Sequence, residues 1–187
     1  MERPPYYRLE EMLAFMPEPN LGIGLGLLNT ERERFEAAPG SSHNHQAWPG
    51  GYLDHLRETM NYAILFHRAE TSTGRTLPFS LADALLAIFL HDFEKLWLIE
   101  TIDGGWRRRK VPKEDKVKLK WEKIVEYGFV LTPEIVNAVT YAEGEGQDYR
   151  PDRRVMGELA GFVHMMDVMS ARVRHDHPKA GDPWSGR

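Results

Sequence analysis

The side chains of this chain best suited to chemistry are histidines and carboxylates set into apolar, helix-like stretches. They are His55 in "GGYLDHLRETM", His91 and Asp92 in "LLAIFLHDFEKLWLI", and His164 and Asp167 in "GFVHMMDVMSA". A polar group buried among apolar neighbours costs free energy unless a partner satisfies it, and a buried charge is paired or bound to a metal. Two imidazoles and two carboxylates drawn from three helices would suit a first-row divalent cation of mixed nitrogen and oxygen preference. Each residue alone has a plainer reading, because a single histidine on a helix is more often packed or solvated than ligating. The pair His175-Asp176, in the polar run "RHDHP", is such a chance occurrence. What sets His91-Asp92 apart is an apolar interior on both sides, with Lys95 one turn further along the same face.

The elements that must position these residues are helical. Ser80 and Asp83 form a capping-box pattern, and Leu81, Leu85, Ile88, Asp92 and Lys95 then fall on one helical stripe. On that spacing the polar groups continue the buried face of a single helix. Further helices are predicted over 6–16, 52–70, 113–128 (ending at Gly128), 133–144 (capped by Thr132 and opened by Pro133) and 153–175. "NLGIGLGLLNT" (20–30) lacks the strand–turn–helix setting of a phosphate loop and is read as a flexible connection with apolar anchors. "TIDGGWRRRKV" (101–111) fits a short β-hairpin or a loop. The expected fold is all-α, one helical bundle, with an N-terminal helical extension (1–42), a core domain (43–175) and a polar C-terminal tail (176–187).

Bulk properties bound the function. The chain has 187 residues, 42% hydrophobic and 28% charged, which suits one domain with a real core. It has no cysteine, so disulfides, thiolate catalysis and Cys-ligated zinc are excluded. A net charge of −4 argues against a surface that coats nucleic acid, although "WRRRKVPKEDKVKLK" (106–120) is locally basic. The N-terminal residues do not read as a signal peptide, and no apolar run approaches a membrane span. A cytoplasmic protein with no membrane partner is the expectation.

The order His55, His91-Asp92, Asp167 resembles the H…HD…D signature of the HD-domain metal-dependent phosphohydrolase superfamily. The flanks "PGGYLDH", "LLAIFLHDFEK" and "FVHMMDVMSA" are similar to the segments that carry that signature, and the likeness spans residues 43 to 175. The resemblance is to a small stand-alone member. It implies an all-α bundle with His55, His91, Asp92 and Asp167 as metal ligands. It also implies a divalent ion (Mn, Co, Ni, Fe, Zn or Mg) and hydrolysis of nucleotide phosphate esters or anhydrides by a metal-activated water. Nucleotidase and deoxynucleoside triphosphohydrolase activities are the nearest types. Members with two metals carry further histidines between the HD pair and the last Asp, and this chain has none from 92 to 163, so one ion is expected.

Within that reading Asp92 would hold the attacking water and Lys95 would clamp a phosphate, its plainer role being an ion pair with Asp92 or Glu94. Glu143 or Glu145 could supply an oxygen ligand or a general base. Arg107, Arg108, Arg109 and Lys110 could hold outer phosphates, and His43 and His45 could line the mouth. The alternatives are a 3′–5′ exoribonuclease or other phosphodiesterase, with RNA as partner, and a nucleotide-binding module without turnover. A homo-oligomer is left open.

Overall fold

The Ser80 hydroxyl oxygen accepts a hydrogen bond from the Asp83 amide, and the Asp83 carboxylate accepts one from the Ser80 amide, so the helix that leads to His91 starts where its capping box predicts. The computed structural model describes residues 3–103 and 105–185. Gly104, part of the expected hairpin turn, and the last two residues of the tail lie outside them. Among the described residues eight α-helices follow in order: α1 (Leu9–Leu13), α2 (Asn20–Thr30), α3 (Arg32–Ala37), α4 (Gly51–Ser72), α5 (Leu81–Leu90), α6 (Lys113–Tyr127), α7 (Pro133–Tyr141) and α8 (Glu158–Val168). An antiparallel hairpin, β1 (Ile99–Ile102) and β2 (Gly105–Arg108), is the only sheet among them. The architecture is all-α with a short β-hairpin.

One hydrophobic core joins the elements. Leu9, Met12, Leu13, Leu27 and Phe35 of the first three helices are buried with Leu56 and Met60 of α4 and Leu85, Ile88 and Phe89 of α5. Val139 of α7 and Val163 and Met166 of α8 complete the same cluster. The first three helices therefore share this core. No helix among the described residues is long and apolar enough to cross a membrane.

Three local expectations fail, each for a tertiary reason. The glycine-rich stretch 20–30 is the helix α2, not a flexible connection. Gly24 lies against Leu13, where an added Cβ would come within 3.3 Å of Leu13 Cδ1, and the Asn20 side chain both donates to and accepts from Val130. Gly26 has open space around its Cα, so only its backbone entropy opposes the helix. Replacing Gly26 with Ala is therefore expected to stabilise the chain by about 0.5–1 kcal/mol, read as a higher midpoint in urea.

The helix carrying His91 also stops early. α5 ends at Leu90, Asp92 leaves helical geometry (φ −118°, ψ 25°), and a 3₁₀ turn covers Phe93–Trp97. Lys120 of α6 donates to the His91 carbonyl at 2.8 Å, satisfying an acceptor that the broken helix exposes. Phe93 and Trp97 pack against Tyr127 and Phe129, which fixes the turn on the end of α6. Finally, the described part of the polar tail folds back. Trp184 stacks edge-on against Tyr6, contacts Tyr62, and donates to the Pro4 carbonyl.

Candidate metal centre

His55 lies in the second turn of α4 and is fully buried, while His91 follows the last residue of α5 and is 3% exposed. Asp167 lies near the end of α8. These three residues can present one ligand atom each within 4.8 Å of one another, a grouping that could hold a metal ion. The His55 and His91 Nε2 atoms are 3.4 Å apart, and Asp167 Oδ1 lies 3.2 Å from the first and 3.6 Å from the second. Asp92 Oδ2 completes the ring at 3.2 Å from His91 Nε2 and 3.9 Å from His55 Nε2.

The other nitrogen of each ring is committed. His91 Nδ1–H donates to the Ile88 carbonyl at 2.6 Å, a partner that can only accept. His55 Nδ1–H donates to Ser170 Oγ at 3.0 Å, and the Ser170 hydroxyl in turn donates to Glu58 Oε2 at 2.9 Å. Both imidazoles thus present Nε2 to the shared point. Two Nε2 lone pairs cannot satisfy each other, and a proton or a metal ion among them would relieve the mismatch.

Electrostatics favour that cation. Burial opposes protonation of both imidazoles and depresses His55; at His91 the Asp92 and Asp167 carboxylates outweigh it and raise the ring to about 10. Burial likewise opposes ionisation of the carboxylates. Lys95 and His91 nevertheless hold Asp92, and the two imidazoles hold Asp167, well below the usual carboxylate range. Asp92 is further engaged by the Lys95 ammonium, and both residues are 7% exposed. The 3₁₀ turn explains that contact, because positions i and i+3 eclipse in this geometry. The ion pair with Asp92, the plainer reading of Lys95, is formed.

A second layer, missed in the sequence, holds the first. After α8 the chain makes one π-helical turn, Met169–Val173, which brings Ser170 to His55 and Glu58. Burial pushes Glu58 up to about 7. Gln46 adopts a left-handed backbone (φ 39°) and is fully buried, with its amide donating to Glu58, Ser170 and the Arg174 carbonyl. Such strain persists only where the surroundings over-determine it. The single signal available in the sequence was the spacing of Ser170, three residues after Asp167. Ser170→Ala should weaken Mn²⁺ binding by roughly 10-fold or more through loss of ring orientation, measured by calorimetric titration of chelator-stripped protein.

The remaining candidates fall around this centre. The His45 ring centroid is 5.0 Å from that of His55; its Nε2 is buried without a hydrogen-bond partner, and burial pulls it down to about 4. Glu94 is buried beside Asp92 and pushed up to about 7, first by burial and then by that charge. Glu143 is exposed and faces Lys113 at 4.0 Å, while Glu145 accepts from the Met156 amide, so neither carboxylate joins the ligand group. His164 donates to the Ala142 carbonyl at 2.7 Å and ties α8 to the end of α7. Arg107 pairs with Glu100 across the hairpin, and Arg109 donates to the Trp97 carbonyl. No family model matches the chain, nor does any curated protein or solved structure.

Proposed function

We propose that this chain is a metal-dependent phosphohydrolase that cleaves phosphate esters or anhydrides of nucleotides. The observation that carries the reading is the meeting of two Nε2 atoms and two carboxylates at one buried point, with both Nδ1 atoms committed elsewhere. The resemblance of these residues to the HD-domain signature supports the same chemistry. His55, His91 and Asp167 would hold the ion, with Asp92 beside them. A bound divalent ion would polarise a phosphoryl oxygen and lower the pKa of water. The Lys95 ammonium, adjacent to that point, offers a positive charge to an anionic phosphate, and ionised Asp92 offers an acceptor that orients a water molecule. The partnerless His45 Nε2 offers a further contact to substrate. The absence of histidine from 92 to 163, with Lys120 on the His91 carbonyl, supports one ion rather than two.

A second reading, a nucleotide-binding module without turnover, draws on the Lys95 ammonium that already engages Asp92. Phosphate release separates the two. Chelator-stripped protein with added Mn²⁺, Co²⁺ or Mg²⁺ is offered ribo- and deoxynucleoside mono-, di- and triphosphates and a short RNA, with Asp92→Ala as control. Metal-dependent turnover lost in the variant is the expected result. Metal binding without turnover of any nucleotide or short RNA would overturn the hydrolase in favour of the module.

A further inference from the structure

A pocket of about 380 Å³ lies between the 39–47 loop and the segment that runs from the hairpin into α6. Arg108, Arg109, Lys110 and Lys116 line it together with Ser41 and His43, and no carboxylate does. Among the described residues no acidic side chain forms an ion pair with Arg108, Lys110 or Lys116. Converging cations without counter-charges repel one another, and a bound anion relieves that repulsion. The hairpin sorts its arginines by strand alternation: Arg107 meets Glu100 across the ladder, which leaves the adjacent Arg108 to the pocket.

The loop that forms one wall also reaches the metal centre. Ser41 Oγ accepts from the amides of Asn44 and His45 at 2.8 Å and donates to the His45 carbonyl at 2.9 Å, closing residues 41–45 into a tight turn. His43 lines the pocket and His45 lies against His55. Two residues of chain span at most about 7 Å. The pocket wall at His43 and the His45–His55 contact therefore lie on one short stretch of the same loop.

We infer that this pocket is an anion subsite that holds the distal phosphates of a nucleoside polyphosphate. The inference rests on the phosphohydrolase reading for what the proximal phosphate meets. Four cationic side chains exceed what one phosphate requires and suit a chain of phosphates. No Phe, Tyr or Trp lines the pocket, whereas single-stranded nucleic acid gains affinity by stacking bases on such rings.

The test uses the full chain, stripped of metal, titrated calorimetrically with inorganic tripolyphosphate, orthophosphate and a 5′-hydroxyl oligoribonucleotide. Tripolyphosphate should bind at least about tenfold more tightly than orthophosphate. The triple variant Arg108→Ala, Lys110→Ala, Lys116→Ala should weaken tripolyphosphate by about tenfold or more. A charge-matched triple variant at Arg75, Lys118 and Lys179, which lie outside the pocket in ion pairs of their own, should leave it within about twofold. Equal losses in both variants would reduce the effect to net charge and overturn the inference. So would no tripolyphosphate binding, or an oligoribonucleotide that binds more tightly and depends on the same three residues. Mn²⁺ titration of the pocket variant should match that of the unaltered chain. Failure of the phosphohydrolase reading would show separately, as absent metal-dependent turnover while tripolyphosphate binding persists.

Discussion

Alanine in place of Asp167 is expected to weaken Mn²⁺ binding at least about 100-fold and to remove metal-dependent phosphate release, while the chain stays folded. The loss of an outer partner that merely orients a ligand costs 10–100-fold in affinity, so a direct ligand should cost no less. Asp167 is the carboxylate of the cluster that Lys95 does not engage, and its Oδ1 faces both Nε2 atoms. It is also the more exposed of the two carboxylates, which is why its removal should spare the fold. Asp167→Asn separates charge from shape, since it keeps the side-chain outline and loses the negative charge. Affinity within a few-fold of the unaltered chain in both variants, by calorimetric titration with circular dichroism as the folding control, would remove Asp167 from the ligand set.

Much of this centre was legible because its signals are local. His55, His91, Asp92 and Asp167 each interrupt an apolar periodicity, and the four meet as that pattern implies. The Ser80–Asp83 box, the stop at Gly128 (φ 79°) and the Thr132 cap are chemical choices of single residues, and all three are found. What was not legible depends on contacts between distant segments. The stripe through Asp92 and Lys95 assumed an unbroken helix. The break after Leu90 is held by Lys120, twenty-nine residues from His91, and by the aromatic contacts of Phe93 and Trp97. The helical state of residues 20–30 rests on Asn20 meeting Val130. The layer of Gln46, Glu58 and Ser170 comes from three segments, and beyond the spacing of Ser170 from Asp167 nothing along the chain announces it.

Lys95 carries the other large expectation, because it separates a clamp from a mere counter-ion. In Lys95→Met the Asp92 carboxylate loses the ammonium that engages it inside the protein. Removing one partner of a buried ion pair costs about 3–5 kcal/mol, and the lower end applies here because His91 remains beside Asp92. For a chain of this size a loss of about 3 kcal/mol corresponds to a fall in Tm of roughly 10 °C in metal-free protein. Added Mn²⁺ should restore more stability to the variant than to the unaltered chain. Lys95 competes with metal for the charge of Asp92, and the variant lacks that competitor, so its affinity should be equal or higher. Turnover should move the opposite way and fall at least about 100-fold, as for a lost charge contact that forms with the reacting phosphate. Tighter metal with lost turnover therefore marks a phosphate clamp. Tighter metal with unchanged turnover would leave Lys95 as the counter-ion of Asp92 alone, and the positive charge for the substrate would then have to come from the basic pocket beside the 39–47 loop.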